Sequence, residues 1–235
     1  MPSKIESPIQ SMFAEVPATY ELVNHVLTLG FDIVWRKGAA RVAARAGGAK
    51  WVDMCTGTGE MAVYLSRLAS EGTEIYAVDF CESMMEKARR KPQAGRIRFV
   101  AADIKALPFE DESFDLITMS FATRNINVSQ EMLIRSFAEY YRILKPGGRF
   151  VNLETSRPPW WPIRKGLDLY VKLFVAPIGG RISGSRRAYA YLARTIPRFY
   201  TAEALADIMQ QAGFEEVTFQ RLLFGAAAIH QAVKS

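Results

Sequence analysis

The turn Thr56-Gly57-Thr58-Gly59 follows a short apolar run, Trp51-Val52-Asp53-Met54-Cys55, and precedes a stretch with Met61, Leu65 and Leu68 at helical spacing. Glycines at a strand-to-helix turn let the backbone approach a ligand closely. Gly57-x-Gly59-x-x-Ala62, with Asp79 twenty positions after Gly59, also satisfies the spacing by which a strand-helix-strand unit holds a dinucleotide. The acids decide what such a turn can hold. Asp53 lies inside the first strand, Asp79 ends the second, and Asp103 follows the third. A carboxylate just ahead of the turn raises the cost of placing a diphosphate there and favours a ligand that carries positive charge.

S-adenosylmethionine fits that description, with an ammonium, a sulfonium and no phosphate. On this reading Asp53, Gly57 and Gly59 shape the site, Asp79 accepts the ribose hydroxyls, and Asp103 accepts from the adenine amino group. Thr58 and Ile104 pack the nucleoside. The rival is a nicotinamide dinucleotide. Tyr141-x-x-x-Lys145 has the spacing of a short-chain dehydrogenase pair, but it ends a helix directly before Pro146-Gly147-Gly148. Tyr141 therefore reads as packing and Lys145 as a helix C-terminal cation. Two histidines and two cysteines, Cys55 and Cys81, make neither a disulfide scaffold nor a four-thiolate zinc site. Free thiols, no metal and a reducing cytoplasm are expected.

The elements that carry these residues alternate. Strands are predicted at Trp51–Cys55, Glu74–Val78, Ile97–Ala101, Phe114–Ser120 and Arg149–Leu153, with helices from Glu60 to Ala69, from an N-cap at Ser83 through Arg90, and from Ser129 to Leu144. A helix at Ala202–Gln211 and two apolar runs, Val217–Phe224 and Ala226–Val233, follow as an antiparallel closing pair. This is an α/β chain with a doubly wound, mostly parallel sheet of seven strands. At 235 residues, 49% hydrophobic and 23% charged, it has the size and composition of a single globular domain, 1–235. Residues 11–46 read as helices, so residues 1–48 form an N-terminal helical cover. No apolar run reaches the roughly 18 residues of a membrane span, and the first ten residues lack a signal-peptide pattern.

The net charge of +6 is uneven. Between Thr155 and Tyr200 there are nine Arg or Lys and one acid, Asp168, a net of +8; the remaining chain, with 21 basic and 23 acidic residues, carries −2. The same segment holds Trp160, Trp161, Tyr170, Phe174, Tyr189, Tyr191, Phe199 and Tyr200. Residues 155–200 are read as a basic, aromatic lid inserted into the nucleotide-binding-like core, facing something anionic and flat, with an anionic membrane surface preferred. A nucleic-acid methyltransferase would also combine such a core with a basic lid. However, no Asn/Asp-Pro-Pro-aromatic run is present and neither cysteine follows a proline, so no nucleic-acid partner is expected.

Longer stretches carry a resemblance. Asp53-Met-Cys-Thr-Gly-Thr-Gly59, Asp79, Ala102-Asp103 with Ala106-Leu-Pro-Phe109, and Leu144-Lys-Pro-Gly-Gly148 resemble a class I, Rossmann-like S-adenosylmethionine-dependent methyltransferase. Tyr20-Glu-Leu-Val-Asn24, Trp35-Arg36, Ser120-Phe-Ala-Thr-Arg124-Asn125, Leu153-Glu-Thr-Ser-Arg-Pro158, Tyr189-x-Tyr191-Leu192 and Ala212-Gly-Phe214 narrow it. Together they resemble the ubiquinone/menaquinone biosynthesis C-methyltransferase family over nearly the whole chain. The resemblance implies methyl transfer from S-adenosylmethionine to a ring carbon of a lipophilic, polyprenylated quinol, typically demethylmenaquinol, or the related benzoquinol step. It carries cofactor roles to Thr58, Asp79, Asp103, Ile104 and Ser120, and substrate contacts to Tyr20, Asn24, Asn125, Tyr189 and Tyr191. Departures are Glu21 for a usual Asp, Phe121-Ala-Thr for Phe-Gly-Leu, Tyr200 for Pro, and Cys55 for a small residue. The implied location is cytoplasmic, or peripheral on the inner face of the cytoplasmic membrane; a homodimer stays open, as does a methyltransferase acting on another small molecule or RNA.

A ring carbon is a poor nucleophile until a neighbouring hydroxyl loses its proton. Arg124, just past the fourth strand, is the preferred catalytic residue, because a permanently charged guanidinium stabilises a phenolate. His25, in the cover helix, is the second candidate.

Overall fold

The computed structural model describes residues 19–235. Helices expected at residues 11–18 lie outside the described residues. Two helices come first, α1 (Tyr20–Leu27) and α2 (Phe31–Ala44). The core follows as β1 (Lys50–Met54), α3 (Glu60–Leu68), β2 (Glu74–Asp79), α4 (Glu82–Arg89), β3 (Ile97–Ala101) and β4 (Phe114–Ser120). A single turn, α5 (Thr123–Ile126), leads to α6 (Gln130–Ile143) and β5 (Leu144–Thr155). Then come α7 (Trp161–Tyr170), a π-helical stretch (Val171–Val175), α8 (Ala176–Ser183) and α9 (Arg186–Thr195). The chain closes with α10 (Ala202–Gln211), β6 (Glu216–Leu222) and β7 (Ala227–Val233).

The seven strands lie in the order β3-β2-β1-β4-β5-β7-β6. The first five pair in parallel, and β7 runs antiparallel between β5 and β6. Strand order reverses between β1 and β4, so the crevice beyond their carboxyl ends is the place for a ligand. The central strands are buried on both faces and read as apolar runs, as a helix-covered parallel sheet requires. One core cluster lies against α6 and α10, with Phe137, Tyr140, Phe150 and Phe214; another lies against α2 and α3, with Trp51, Met61, Leu65 and Leu116.

Most predicted elements match within a residue or two. Two local expectations do not. Ser83 is inside α4 and caps nothing; Cys81 is the N-cap residue, its N–H held by Asp79 at 2.8 Å, and the Ser83 hydroxyl lies 3.4 Å from the Cys81 thiol. The Lys145-Pro-Gly-Gly148 stretch is taken up into the start of β5. Gly147, at φ 77°, donates its N–H to the Lys234 carbonyl at 2.7 Å, and the pairing with β4 shifts register there. Tertiary pairing with the last strand thus overrides the local turn signal.

Candidate active site

Both strands at the reversal point end on the same unusual feature. Cys55, directly after β1, and Phe121, directly after β4, adopt left-handed φ values of 51° and 56°. Bulky non-glycine residues rarely do so, and such conformations persist where the surroundings over-determine them. Each turns the chain sharply away from the sheet. After Cys55, Gly57 and Gly59 continue with positive φ, and a Cβ at Gly59 would lie 2.8 Å from Ala88 Cβ. The glycine at 59 lets α3 start against α4.

A first cavity, of about 70 Å³, lies over this turn. Its walls include Cys55, Gly57, Asp79, Cys81, Met84 and Ser120. Asp79 is 7% exposed and accepts the N–H groups of Gly57 at 2.7 Å and Cys81 at 2.8 Å. Burial raises its pKa against those two bonds. Each of its oxygens keeps a free lone pair for a ligand hydroxyl. The residues present therefore fit a nucleoside: a carboxylate at a strand end, glycines that admit close approach, and, among the described residues, no cationic side chain in the wall to hold a diphosphate.

The other acids are placed differently. Asp53 is buried beneath the turn and does not line the crevice; its two oxygens accept the hydroxyls of Thr56 at 2.6 Å and Thr118 at 2.8 Å. Burial pushes its pKa up to about 7, so Asp53 is a strut of the β1 turn. Asp103 is exposed just beyond β3 and accepts the Lys105 N–H at 3.0 Å. Ile104 packs into the core beside Val52, Val78 and Met119 rather than into the crevice wall. Thr58 is buried and bonded to Glu21 of α1. Glu21 also pairs with Lys91 at 2.8 Å and Lys87 at 3.7 Å, so its pKa falls although burial alone would raise it. The cover is thereby clasped over the turn.

A second, larger cavity of about 400 Å³ adjoins the first. Three residues, Tyr20, Phe121 and Asn125, line both. Around it stand the cover (Asn24, Asp32, Arg36) and the lid (Leu167, Tyr170, Leu192), with Arg124 between. Tyr20 is held by the Asn24 side chain, and burial raises its pKa against the pull of Arg36. Arg124 is 8% exposed. Its Nη1 donates to Thr155 Oγ1 at 2.7 Å and lies 3.4 Å from Glu154 Oε1, while its Nε–H has no protein partner. The Asn125 Oδ1 is likewise buried without a partner.

His25 does not line the cavity; its Nδ1 is 2.8 Å from Asp32 Oδ2 and its Nε2 is 3.8 Å from Glu60. Asp32 also binds Arg36 at 2.6 Å and the Thr28 hydroxyl at 2.7 Å. Arg36 sits over the Phe121 ring and 3.2 Å from Glu60, which begins α3. This cluster could form a three-ligand metal group by distance, but Arg36 already supplies its cation. The two lid tyrosines are not in the cavity wall. Tyr189 is fully buried beneath α8, against Gly179 and near Val23, with its hydroxyl unpartnered. Tyr191 is half-buried beside the charge of Arg124, which opposes the rise that burial gives its pKa. Leu192 of α9 and Ile196 just after it line the cavity instead; Tyr191 lies on another face of α9, and Tyr189, which shares their face, is covered by α8 at Gly179.

Phe121 and Glu154 lie within the stretches that carry the family resemblance, but neither they nor Asp32 were given a site role there. An acid inside a central strand that is otherwise largely buried was the available signal for Glu154.

The profile of the ubiE/COQ5 methyltransferase family matches residues 1–234. The chain belongs to this family. A demethylmenaquinone methyltransferase of Clavibacter sepedonicus is 37% identical over 233 residues, covering 99% of this chain and 92% of that one. Another, of Thermus thermophilus, is 39% identical over 93% of this chain and 98% of its own. A ubiquinone/menaquinone biosynthesis C-methyltransferase UbiE of Yersinia enterocolitica is 35% identical over 97% and 91%. In fold, the chain is similar to a SAM-dependent methyltransferase from Aquifex aeolicus, with TM-score 0.60, 17% identity and coverage of 84% and 89%. A second such structure, from Thermotoga maritima, gives TM-score 0.62, 22% identity and coverage of 97% and 100%. The ubiE/COQ5 member described here is thus an S-adenosylmethionine-dependent C-methyltransferase of the quinone-biosynthesis family, and the class I fold is the one its sheet order displays.

Proposed function

We propose that the chain methylates a ring carbon of a polyprenylated quinol, demethylmenaquinol by preference, with the smaller cavity as the cofactor site and the larger as the quinol site. The observation that carries this is the wall of Tyr20, Phe121 and Asn125 that the two cavities share. Donor and acceptor chambers that meet at one wall are what in-line transfer needs, since alignment is most of the work. S-adenosylmethionine supplies a methyl group on a positively charged sulfur. The chain's own side chains exclude water, orient the ring and handle its proton. A cavity of about 400 Å³, walled mainly by aliphatic and aromatic side chains, suits an apolar bicyclic ring.

Arg124 places a fixed positive charge at the cavity wall, where it lowers the energy of a ring phenolate. Its unpartnered Nε–H and the unpartnered Asn125 Oδ1 offer one donor and one acceptor, the pair that a phenolic hydroxyl satisfies. One proton leaves for each methyl delivered. Asp32 is the one carboxylate in the cavity wall among the described residues, and it holds His25, which is partly exposed. The pair gives that proton a route to solvent. The basic lid is read as a contact with anionic lipid, the source of the quinol. The deciding experiment is incubation of the purified protein with isotopically labelled S-adenosylmethionine and demethylmenaquinol, followed by mass spectrometry. A labelled, ring-methylated quinol is expected; label confined to RNA or to a different small molecule would replace this reading.

A further inference from the structure

The rim of the larger cavity has an unusual surface. Leu29 is 79% exposed and Phe224 is 67% exposed, and Phe31 and Leu223 beside them are also exposed; all four line the cavity mouth. Leu29, Leu223 and Phe224 additionally hold left-handed φ values of 53°, 43° and 55°. Large apolar side chains here are both solvated and conformationally strained, two costs that water gives no reason to keep.

Next to this rim lies the lid helix. Gly225 packs against Pro158 and Pro159, and Trp160 and Trp161 follow at 65% and 72% exposure. The Tyr170 hydroxyl donates to the Leu27 carbonyl at 2.7 Å, joining the lid to the Leu29 side of the mouth. Helix α7 and the π-helical stretch after it are apolar on both sides. Ile163, Leu167, Tyr170 and Val171 line the cavity, whereas Trp161, Leu169 and Leu173 are exposed. Exposed apolar side chains interleaved with Lys165 and Lys172 give this outer side the pattern of an interfacial helix. Lys165, Lys172, Arg181, Arg186, Arg187, Arg194 and Arg198 of the lid are also exposed, and its single acid, Asp168, is 3.8 Å from Arg157. Exposed tryptophans among lysines and arginines are the composition of an anionic bilayer's headgroup boundary.

We propose that this rim, with Leu29, Phe224, Trp160 and Trp161 at its edge, inserts into an anionic lipid bilayer, so that the cavity opens directly into the acyl region. The proposal rests on the quinol reading for one point only. The cavity takes a ring and a short piece of tail, so the remaining tail stays in the bilayer. The basic lid alone would give a contact that salt dissolves. Insertion of the rim gives one that survives salt and buries indole rings.

The test uses the whole protein with vesicles of phosphatidylglycerol and phosphatidylcholine, some carrying bromine on the acyl chains. Tryptophan emission is expected to be quenched by the brominated lipid and to remain quenched as salt is raised. Trp51 is buried, and Trp35 lines the cavity, so the part of the quenching that W160S/W161S removes is the signal of Trp160 and Trp161. The double variant W160S/W161S, which changes two exposed residues outside the cavity wall, is expected to lose tenfold or more in vesicle partitioning. It should keep wild-type turnover on a short-tailed demethylmenaquinol in detergent-free buffer. Absence of quenching, or binding that disappears entirely in salt, overturns the proposal. The short-tailed assay separates the two ideas. Methylation without quenching refutes insertion alone, and quenching without methylation refutes the quinol reading alone.

Discussion

Arg124 and Glu154 form a buried pair beside the larger cavity, Nη1 to Oε1 3.4 Å apart, with the Glu154 carboxylate also accepting the Arg124 backbone N–H at 3.1 Å. Arg124 is thus a structural counter-ion that also lines the larger cavity, the proposed quinol site. Arg124→Ala alone would strand a fully buried carboxylate at a cost of about 3–5 kcal/mol, so its loss of turnover would mix two effects. Arg124→Ala combined with Glu154→Gln removes the stranded charge. We expect the double variant to recover most of the thermal stability while turnover stays reduced by about a hundredfold. S-adenosylhomocysteine affinity, measured by calorimetry, should be unchanged in it; a parallel loss of affinity would make the pair purely structural.

Asp79→Asn should weaken S-adenosylhomocysteine binding by about 10- to 100-fold, since a charge-assisted hydrogen bond contributes about 1.5–3 kcal/mol. The amide must also leave one of the Gly57 and Cys81 N–H groups facing a donor. Calorimetry at fixed salt would show it, and an unchanged Kd would remove Asp79 from the cofactor site.

Asp53 gives a pH prediction. Burial raises its folded pKa from the ordinary 3.8 to about 7. The folded state therefore holds a proton that the unfolded state has released, and stability falls as pH rises from about 4 to about 7. At most about 1.4 kcal/mol is lost for each pH unit in that window. Asp53→Asn should flatten this slope in chemical-denaturation series run across the window. An identical slope in the variant would show that Asp53 does not carry the proton.

His25→Gln should lower turnover about tenfold or more, as expected for loss of a proton carrier, while leaving cofactor affinity intact. Full activity in the variant would leave the proton route to bulk water through the cavity mouth.

Tyr189→Phe should be close to neutral in both Tm and turnover. Its hydroxyl is buried without a partner among the described residues and Tyr189 lines neither cavity, so removing it relieves an unpaired polar group. A large loss of activity would place Tyr189 at the substrate after all.

Local signals carried the frame. The alternation of apolar strands and helices, the Gly57–Gly59 turn, and the capping hydroxyl of Ser129, which accepts the Met132 N–H, are properties of a few consecutive residues. So is the packing of Met54, Met61, Met84 and Met85, all buried. The sequence did not say where Asp53 would point, because a strand-end acid can face a crevice or turn under it. The positions of Thr56 and Thr118, sixty-two residues apart, decide which. Nor does a motif say how neighbouring elements cover its helix, which leaves Tyr189 beneath α8 and Tyr191 half-buried.

From its sequence alone this chain determined a mostly parallel sheet, a glycine turn after the first strand and a basic segment at residues 155–200, because those follow from periodicity, turn chemistry and charge along the chain. Only the tertiary structure decided that Arg124 meets Glu154, that His25 meets Asp32, and that two cavities share Tyr20, Phe121 and Asn125. Each of these joins segments from different elements, and such meetings depend on how sheet order, helix rotation and lid packing settle together.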